Sequence, residues 1–241
     1  MINDKYIAQH HFELYRTIAK ATGIKHKATD VFESVEALPN AFPNFVFNIQ
    51  HPDWELLKKQ ILNKEIPPFL VTEKPLIAIE KFGFRLIRKW PLMGMNTAEL
   101  LAPPSNDLTL SVVDNKNEVK VWKEIVKEVF NYHFEVSFLE KWMQHPDLEL
   151  LLGYNKQQPV CTALNLYFDN TVGTHFVGTT KNQTKKGFGK YFFYQCISHA
   201  LEQHCCHQAI CSSTKEGLTH WQKIGFKIYG DYYIYWLMGA V

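Results

Sequence analysis

The segment whose residues are best suited to chemistry is 177–190, which reads VGTTKNQTKKGFGK. An apolar, β-rich run turns there through polar residues into a helix start marked by Gly187 and Gly189. The first N–H groups of a helix have no intrahelical partner, and the helix macrodipole adds positive potential. Because glycines also let an anion approach the backbone closely, the segment predicts a site for a pyrophosphate.

Spacing argues against a nucleotide P-loop in this segment. That motif requires the pattern G-x-x-x-x-G-K-[ST]. If Gly189 and Lys190 are set on its G-K pair, Thr184 falls on the first glycine and Tyr191 on the Ser or Thr that would hold magnesium. The pattern fails at both positions, so the sequence does not predict a magnesium–nucleotide site.

The same segment resembles the acyl-CoA loop of the GNAT superfamily of N-acyltransferases, whose pattern is roughly V-x-T-x-x-x-x-[RQ]-x-x-G-x-[GA]. Val177, Thr179, Gly187 and Gly189 match this pattern, whereas Thr184 stands where the family has Arg or Gln. The donor that is lost at this position is offset by the charges of the two lysines that follow it.

The order of the downstream segments strengthens the resemblance. Residues 207–213 end in a small polar pair, 221–226 read WQKIGF where the family has Y-x-K-x-G-F, and 229–237 are an aromatic strand. The resemblance covers roughly residues 107–237. It implies an α/β (α+β) fold of the GNAT type, with a mixed central sheet and helices on both faces.

Hydrophobic periodicity, taken on its own, predicts the βααβββ order that this fold requires. It places strands at 108–113, 148–154, 160–168 and 171–179, and helices from Asn117, over 137–144 and from Gly187, the last with core residues Phe193, Cys196, Ile197, Ala200 and Leu201. Nearer the N-terminus it predicts a helix over 6–24, a helix capped by Asp53, and strands at 45–49 and 69–72.

Residues 1–100 are predicted to form a smaller α/β domain, joined by a linker at 101–106 to the GNAT domain at 107–241. Residues 79–84, IEKFGF, precede an extended ribbon just as 221–226 do, which indicates a degenerate GNAT-like half without its loop. The alternative is a chance K-x-G-F at a helix end, where glycine is favoured, in an accessory domain.

The resemblance implies acetyl-CoA as the acyl donor and implies no metal. By position, the strand before the loop would pair with the pantetheine arm through Phe176, Val177, Gly178 and Thr179. The residues that would meet the pyrophosphate are Thr184, Lys185, Lys186, Gly187, Phe188, Gly189 and Lys190.

Acyl transfer to an amine requires a base that accepts the amine proton. His175 lies on the strand that leads into the loop, and an imidazole titrates in the useful pH range. In the resemblance, it falls two residues from a position where some family members carry a catalytic Glu, so strand alternation puts both on one face. Glu149 and Asp169 are the alternative bases.

The acid that protonates the departing thiolate is less well defined. Many family members use the Tyr of Y-x-K-x-G-F, and Trp221 occupies that position here. An indole N–H donates a hydrogen bond but is not a proton source at neutral pH. Ser213 and Tyr232 are therefore predicted as catalytic hydroxyls, with Ser212, His220 and Tyr233 as further candidates; a thiolate can also leave without an acid.

Composition is that of an ordinary soluble globular protein. The chain has 241 residues, 46% of them hydrophobic, and a net charge of +2, so neither a nucleic acid nor a membrane is predicted as a partner. Five cysteines and an N-terminus unlike a secretion signal predict a cytoplasmic location. Cys205 and Cys206 lack the C-x-x-C spacing of structural zinc, so no metal site is predicted.

The sequence thus predicts an acetyl-CoA-dependent N-acetyltransferase, a transferase that passes the acyl group directly to a small-molecule amine or a peptide. The departures at Thr184 and Trp221 keep open an alternative, a GNAT-derived module that binds CoA or a protein without efficient turnover. An exposed final strand could also pair edge to edge in a homodimer.

Overall fold

The computed structural model describes residues 2–37 and 42–240. The described residues form two compact units, one from Asn3–Leu92 together with Tyr229 onwards, and one from Met93–Ile228. These units are spatial groupings, and the predicted domain limits at 100 and 107 stay a prediction. Within the described part of the chain, no helix has the length and apolar character needed to cross a membrane.

The secondary structure follows the predicted order closely. The helices are α1 (Asp4–Thr22), α2 (Trp54–Leu62), α3 (Lys116–Phe130), α4 (Val136–Met143), α5 (Phe188–His204) and α6 (Lys215–Gln222). The strands are β1 (Lys25–Ala28), β2 (Glu33–Glu36), β3 (Asn44–Phe47), β4 (Phe69–Thr72), β5 (Phe84–Asn96), β6 (Leu108–Val112), β7 (Leu148–Asn155), β8 (Gln158–Phe168), β9 (Thr171–Thr179), β10 (Gln208–Ser212) and β11 (Lys227–Leu237).

The first unit is a mixed sheet with strand order β1-β2-β3-β4-β11-β5. β3 and β4 run parallel, whereas β1–β2, β2–β3 and β4–β11 are antiparallel pairs. Helix α1 begins at Asn3, whose side chain accepts a hydrogen bond from the Tyr6 N–H, and ends at Gly23 as predicted. Asp53 caps α2, also as predicted. The polar strands β1 and β2 had no apolar alternation from which to be predicted.

Glu33 on β2 ties this sheet to α1. Arg16 Nε and Nη2 donate to the two carboxylate oxygens of Glu33 at 2.8 and 2.6 Å. Asn48 Nδ2 donates to Oε1 at 2.8 Å, and His26 Nε2 lies 3.1 Å from Oε2. Burial raises the pKa of Glu33, but these hydrogen bonds, led by the one from Arg16, outweigh it and lower the pKa from 4.5 to about 2.

Glu33→Gln is expected to make stability less dependent on acid pH. A carboxyl whose pKa is lower in the folded than in the unfolded state stabilises the fold above pH 4.5, and this contribution is lost as the pH falls through about 2. The variant should have a lower free energy of unfolding at neutral pH. This free energy should also depend less steeply on pH between these two pH values. Urea unfolding at several pH values measures both, with Glu36→Gln on the same strand as the control; equal slopes for all three proteins would contradict the expectation.

The second unit contains β10-β9-β8-β7-β6 in that order, with β9 and β10 parallel and the other pairs antiparallel. Helix α5 packs on one face of this sheet, where Phe193 and Ile197 join Val172 of β9 in the core. Helix α3 covers the other face, and Trp122 Nε1 donates to the Ala163 carbonyl of β8 at 3.0 Å. The predicted mixed sheet with helices on both faces is confirmed.

Two details of the second unit differ from the prediction. Asn115, not Asn117, caps α3, because its side chain accepts hydrogen bonds from the Asn117 and Glu118 N–H groups. Leu201 is 39% exposed and not part of the core, because the face of α5 that packs on the sheet passes through Ile197 and Ala200 instead.

The predicted similarity between residues 79–84 and 221–226 extends to backbone shape. A 3-10 helix (Ile79–Phe82) ends at Gly83 with φ 93°, and α6 is followed by Gly225 with φ 114°. Each glycine leads into a long strand, β5 or β11. An ancestral duplication of the half-domain stays a prediction.

Candidate active site in the second unit

The parallel pair β9 and β10 opens partway along its length. The ladder joins Thr171 to Gln208 and Val172 to Ala209, and its last pair is Gly173 with Ile210. β9 continues to Thr179, six residues beyond this last ladder pair, whereas β10 ends at Ser212. Where two neighbouring strands separate in this way, an extended ligand can lie between them and pair with backbone groups.

A β-bulge lies in this open stretch of β9. Between the pairs Thr162–Gly178 and Leu164–His175, β8 advances by two residues and β9 by three. The extra residue is accommodated at Phe176, whose φ of 50° is left-handed. A bulge turns the strand and re-aims its backbone groups, which is why bulges recur beside active sites.

Hydrogen bonds of β8 and an aromatic cluster around Phe176 hold the bulge in place. Opposite it, the Ala163 carbonyl accepts from the Trp122 indole, and Thr162 Oγ1 donates to the Phe176 carbonyl at 3.1 Å. The Phe176 ring lies within an aromatic cluster from α3, α4 and the segment between them, with centroid distances of 5.8–6.5 Å to Trp122, Phe130, Tyr132, Phe134 and Trp142. The left-handed conformation is therefore held by packing.

The loop after β9 leads into α5 as the sequence predicted. Gly187 is the N-cap of α5 with φ 81° and makes no side-chain capping bond, and a Cβ built on it would meet nothing within 4 Å. A Cβ on Gly189 would lie 2.9 Å from Thr179 Oγ1, so this glycine lets the helix start approach the end of β9. There is thus open space at Gly187, beside a helix start whose first N–H groups have no intrahelical partner, and such an arrangement can bind an anion.

The predicted phosphate contacts differ in what their side chains do. Lys185 and Lys186 are exposed at the mouth of the loop, where their charges can attract an anion. Thr184 instead closes the loop, because its Oγ1 donates to the Lys181 carbonyl at 3.0 Å. Phe188 is buried in the core against Phe192 and Cys196, so only its backbone can meet a phosphate.

His175 lies on β9 and Ser213 directly follows β10, on opposite sides of the place where the two strands separate. His175 is half-buried on β9, immediately before the bulge. Ser213 lies three residues beyond Ile210, the last residue of β10 that pairs with β9. Ser213 is 2% exposed and its Oγ donates to the Thr214 carbonyl at 2.8 Å.

Trp221 has a packing role in the second unit. Its ring lies 4.2 Å from that of Phe193, against the core cluster that contains Ile224 and Phe226. A Cβ on Gly217 would lie 2.8 Å from Trp221 Nε1 and 2.9 Å from Ser213 Oγ. The absence of a side chain at Gly217 therefore lets the indole N–H and the serine hydroxyl share one small space.

Tyr232, the other predicted catalytic hydroxyl, lies in the first unit. It is 1% exposed, its hydroxyl is 3.2 Å from the Tyr15 hydroxyl, and its ring packs against His11 and Phe12. Burial and the neighbouring Tyr15 raise its pKa well above the usual value. A buried hydroxyl with a raised pKa is a poor proton donor at neutral pH, so the mechanism below gives Tyr232 no role.

The alternative base Glu149 is already engaged by other side chains. His199 Nε2 and His204 Nε2 each lie 3.1 Å from one of its oxygens, and the Tyr167 hydroxyl donates to Oε2. Burial raises the pKa of Glu149, but these three groups, with His199 first, lower it to about 2. Such a weakly basic carboxylate is a poor acceptor for an amine proton at neutral pH.

The five cysteines are free thiols. Burial raises the pKa of Cys161 to about 11, and burial with its neighbour Cys205 does the same for Cys206. Thiols with raised pKa values are weak nucleophiles at neutral pH.

Comparison with known proteins identifies the fold. No family model and no curated protein matches the chain. Among solved structures, a GCN5-related N-acetyltransferase from Kribbella flavida matches with a TM-score of 0.73 and 17% identity, over 99% of this chain and 96% of that one. A functionally unknown conserved protein from Staphylococcus epidermidis matches with a TM-score of 0.63 and 16% identity, over 90% and 95% of the two chains.

A GCN5-related N-acetyltransferase from Sphaerobacter thermophilus matches with a TM-score of 0.58 and 14% identity, over 79% of this chain and 71% of that one. The chain therefore has the GNAT fold, which confirms the fold that the sequence resemblance implied. At these identities the likeness concerns the fold, and the activity has to be argued from the site.

Proposed function

We propose that this chain is an acyl-CoA-dependent N-acyltransferase that transfers an acetyl group directly to an amine. The observation that carries the proposal is the continuous path from the edge of β9 beyond its last pair with β10, past the bulge at Phe176, to the start of α5 at Gly187. An extended amide chain that ends in a pyrophosphate fits such a path, because the edge offers backbone partners and the helix start offers N–H groups.

The chain's own residues divide the binding of acetyl-CoA between them. The amides of the pantetheine arm pair with backbone groups between 174 and 179. The pyrophosphate accepts hydrogen bonds from the first N–H groups of α5, and Lys185 and Lys186 balance its charge. The thioester then lies near the bulge, between His175 on one strand and Ser213 on the other.

Transfer requires one bond to form and one to break at the thioester carbon. The amine nitrogen attacks this carbon, the C–S bond breaks, and the products are an N-acetyl amide and CoA. His175 accepts the proton that the amine loses, directly or through a water. The thiolate leaves as such or takes a proton from solvent. The Ser213 hydroxyl can donate a hydrogen bond to it once it turns away from the Thr214 carbonyl.

Replacing His175 with glutamine is expected to lower amine-dependent turnover by about 100-fold to 10,000-fold, because the amide cannot accept the proton. Binding of acetyl-CoA should change little, since the arm and pyrophosphate are held by the backbone and by lysines. Raising the pH should restore part of the rate, because more of the free amine is then already deprotonated. Steady-state CoA release against pH, together with calorimetry, separates these effects; unchanged turnover would make His175 a packing residue.

The proposal as a whole is tested by titrating acetyl-CoA into the folded chain and then measuring CoA release over a panel of amines. The panel comprises amino acids, polyamines, aromatic amines and a short peptide with a free N-terminus. Saturable binding with amine-dependent release supports the enzyme. No binding by the folded chain would overturn the proposal.

A second candidate function is a CoA-binding module without efficient turnover. It is favoured by Trp221, which packs on Phe193 in the position where the sequence pattern has a tyrosine acid. Binding of acetyl-CoA with no release above the amine-free rate would support this second candidate. The Trp221→Tyr variant would then test whether a tyrosine at this position restores turnover.

A further inference from the structure

A carboxylate and two imidazoles converge where the C-terminal end of α5 meets β7. His199 Nε2 lies 3.1 Å from Glu149 Oε2, and His204 Nε2 lies 3.1 Å from Glu149 Oε1. The candidate ligand atoms of the three residues all lie within 4.8 Å of one another. Among the side chains that the structure describes, no other three His, Cys, Asp or Glu residues come together in this way.

These separations suit a small divalent transition metal. Zinc binds imidazole nitrogen and carboxylate oxygen at about 2.0–2.2 Å, so a tetrahedral angle puts neighbouring ligand atoms roughly 3.4 Å apart. The two N–O distances of 3.1 Å lie close to this value, and the remaining separations, none above 4.8 Å, would shorten as the side chains turn toward one cation. Imidazole nitrogen favours zinc, cobalt and nickel, whereas calcium and magnesium prefer sites made of oxygen alone.

Neighbouring groups orient the three side chains. The Tyr167 hydroxyl donates to Glu149 Oε2, and its ring stacks on His204 with centroids 3.7 Å apart and an interplanar angle of 14°. Contacts of this kind around a metal ligand raise metal affinity because they fix its orientation. The side chains of Glu149, His199 and His204 are 18%, 21% and 31% exposed, so a cation and its waters can reach them.

The end of the helix adds a favourable field. α5 ends at His204, and Cys205 follows as its C-cap with φ 51°. The last carbonyls of a helix carry the negative end of its macrodipole, which stabilises a cation beside them. The cluster therefore combines one carboxylate charge with the negative pole of a helix.

We propose that Glu149, His199 and His204 bind one divalent cation of the zinc class, with water in the remaining coordination positions. Each Nε2 then offers its lone pair to the metal, and any proton it carries is released or stands on Nδ1. The sequence alone predicted no metal, because the three residues come from β7 and from two turns of α5, without a recognisable spacing.

The site is separate from the proposed acetyl-CoA path. α5 has 17 residues, and at about 1.5 Å per residue its two ends lie roughly 24 Å apart. Gly187 is at one end and His204 is at the other. The metal would therefore join the C-terminal end of α5 to β7 and stabilise the unit, and this inference does not rest on the proposed function.

The experiment uses the full chain without a histidine tag, treated with EDTA and dialysed. Zinc is titrated by calorimetry, and cobalt by its visible absorption, which reports imidazole ligation and coordination number. We expect one cation per chain and a higher melting temperature with zinc. Glu149→Gln and His199→Gln should each weaken zinc binding by at least about 100-fold, while His133→Gln, at an exposed histidine of the same unit, should keep the wild-type affinity.

Three results would overturn the proposal: no saturable zinc binding by the folded wild type, equal losses in the His133 and His199 variants, or a cobalt spectrum without nitrogen ligation. Circular dichroism first establishes that each variant is folded. If the ligand variants unfold, the wild-type cobalt spectrum decides alone. Acetyl-CoA affinity is measured on the same metal-free protein and is expected to be unchanged, so the metal site and the acyltransferase proposal can fail separately.

Discussion

Replacing Gly187 with aspartate is expected to abolish acetyl-CoA binding while leaving the second unit folded. Asp tolerates the left-handed φ of 81° better than most residues and is a favoured N-cap, so α5 should still form. Its Cβ would enter open space, which is where the pyrophosphate is proposed to bind. A carboxylate about 5 Å from a phosphate charge, at an effective dielectric of about 20, costs roughly 3 kcal/mol, or more than 100-fold in affinity.

Gly187→Asn is the matched control for this variant. Asparagine has almost the same shape, also tolerates the left-handed region, and also caps helices, but it carries no charge. It should weaken acetyl-CoA by about tenfold through competition for the first N–H groups, and aspartate should weaken it far more. Calorimetric titration of both variants, after circular dichroism, measures the difference. Equal affinities for the two would mean that the pyrophosphate does not lie at Gly187.

The core of the second unit was predictable because local signals there agree with the tertiary structure. The segments 148–154, 160–168 and 171–179 are rich in apolar and β-forming residues, and turn residues separate them at 155–158 and 169–170. All three strands form within a few residues of the predicted limits. The loop was predictable for a similar reason, since glycines at a helix start have few other uses.

The features that sequence patterns could not place depend on contacts between residues distant along the chain. Alternation along β11 does not tell which layer covers the face on which Tyr232 lies, and here α1 covers it. The β-strands β1 and β2 are polar, and only pairing with β3 makes them strands. Glu149 and His204 are 55 residues apart in the sequence, so no local sequence pattern predicts that they are in contact.

The sequence contains one indication of the bulge, the spacing of two core residues, but a periodicity analysis of a single strand does not detect it. Side chains of β9 that face α5 include Val172 and Val177, which are five residues apart, an odd number. A regular strand puts such residues on opposite faces, so an extra residue must lie between them. Periodicity could have indicated the bulge only if the face of each residue were already known, and that knowledge comes from the packing of α3 and α5.

Phe176→Ala is expected to lower the free energy of unfolding by about 3 kcal/mol, because the ring leaves a cluster of five aromatic side chains. Phe176→Gly removes the same ring, yet it should be the more stable of the two by about 0.5–1 kcal/mol. In an ordinary strand glycine is the worse residue by roughly that amount. At a φ of 50°, however, a Cβ costs roughly 1–2 kcal/mol that glycine avoids.

Urea unfolding of the two variants measures this reversal, and Val177→Ala with Val177→Gly is the control pair on the neighbouring residue. Val177 has no positive φ, so there alanine should be the more stable variant. If alanine is also the better residue at 176, the bulge relaxes once the ring is gone, and the conformation depends entirely on the aromatic cluster.

Phe176→Ala and Phe176→Gly also test whether the bulge contributes to acetyl-CoA binding. The aromatic cluster holds Phe176 left-handed, and this fixes the direction of the backbone groups that the proposal assigns to the pantetheine arm. Both variants should therefore bind acetyl-CoA at least tenfold more weakly, since neither retains the ring. If the glycine variant is folded and binds as the wild type does, the cluster only stabilises the fold. A loss in both, with native circular dichroism, would connect the packing of α3 and α4 to binding at the edge of β9.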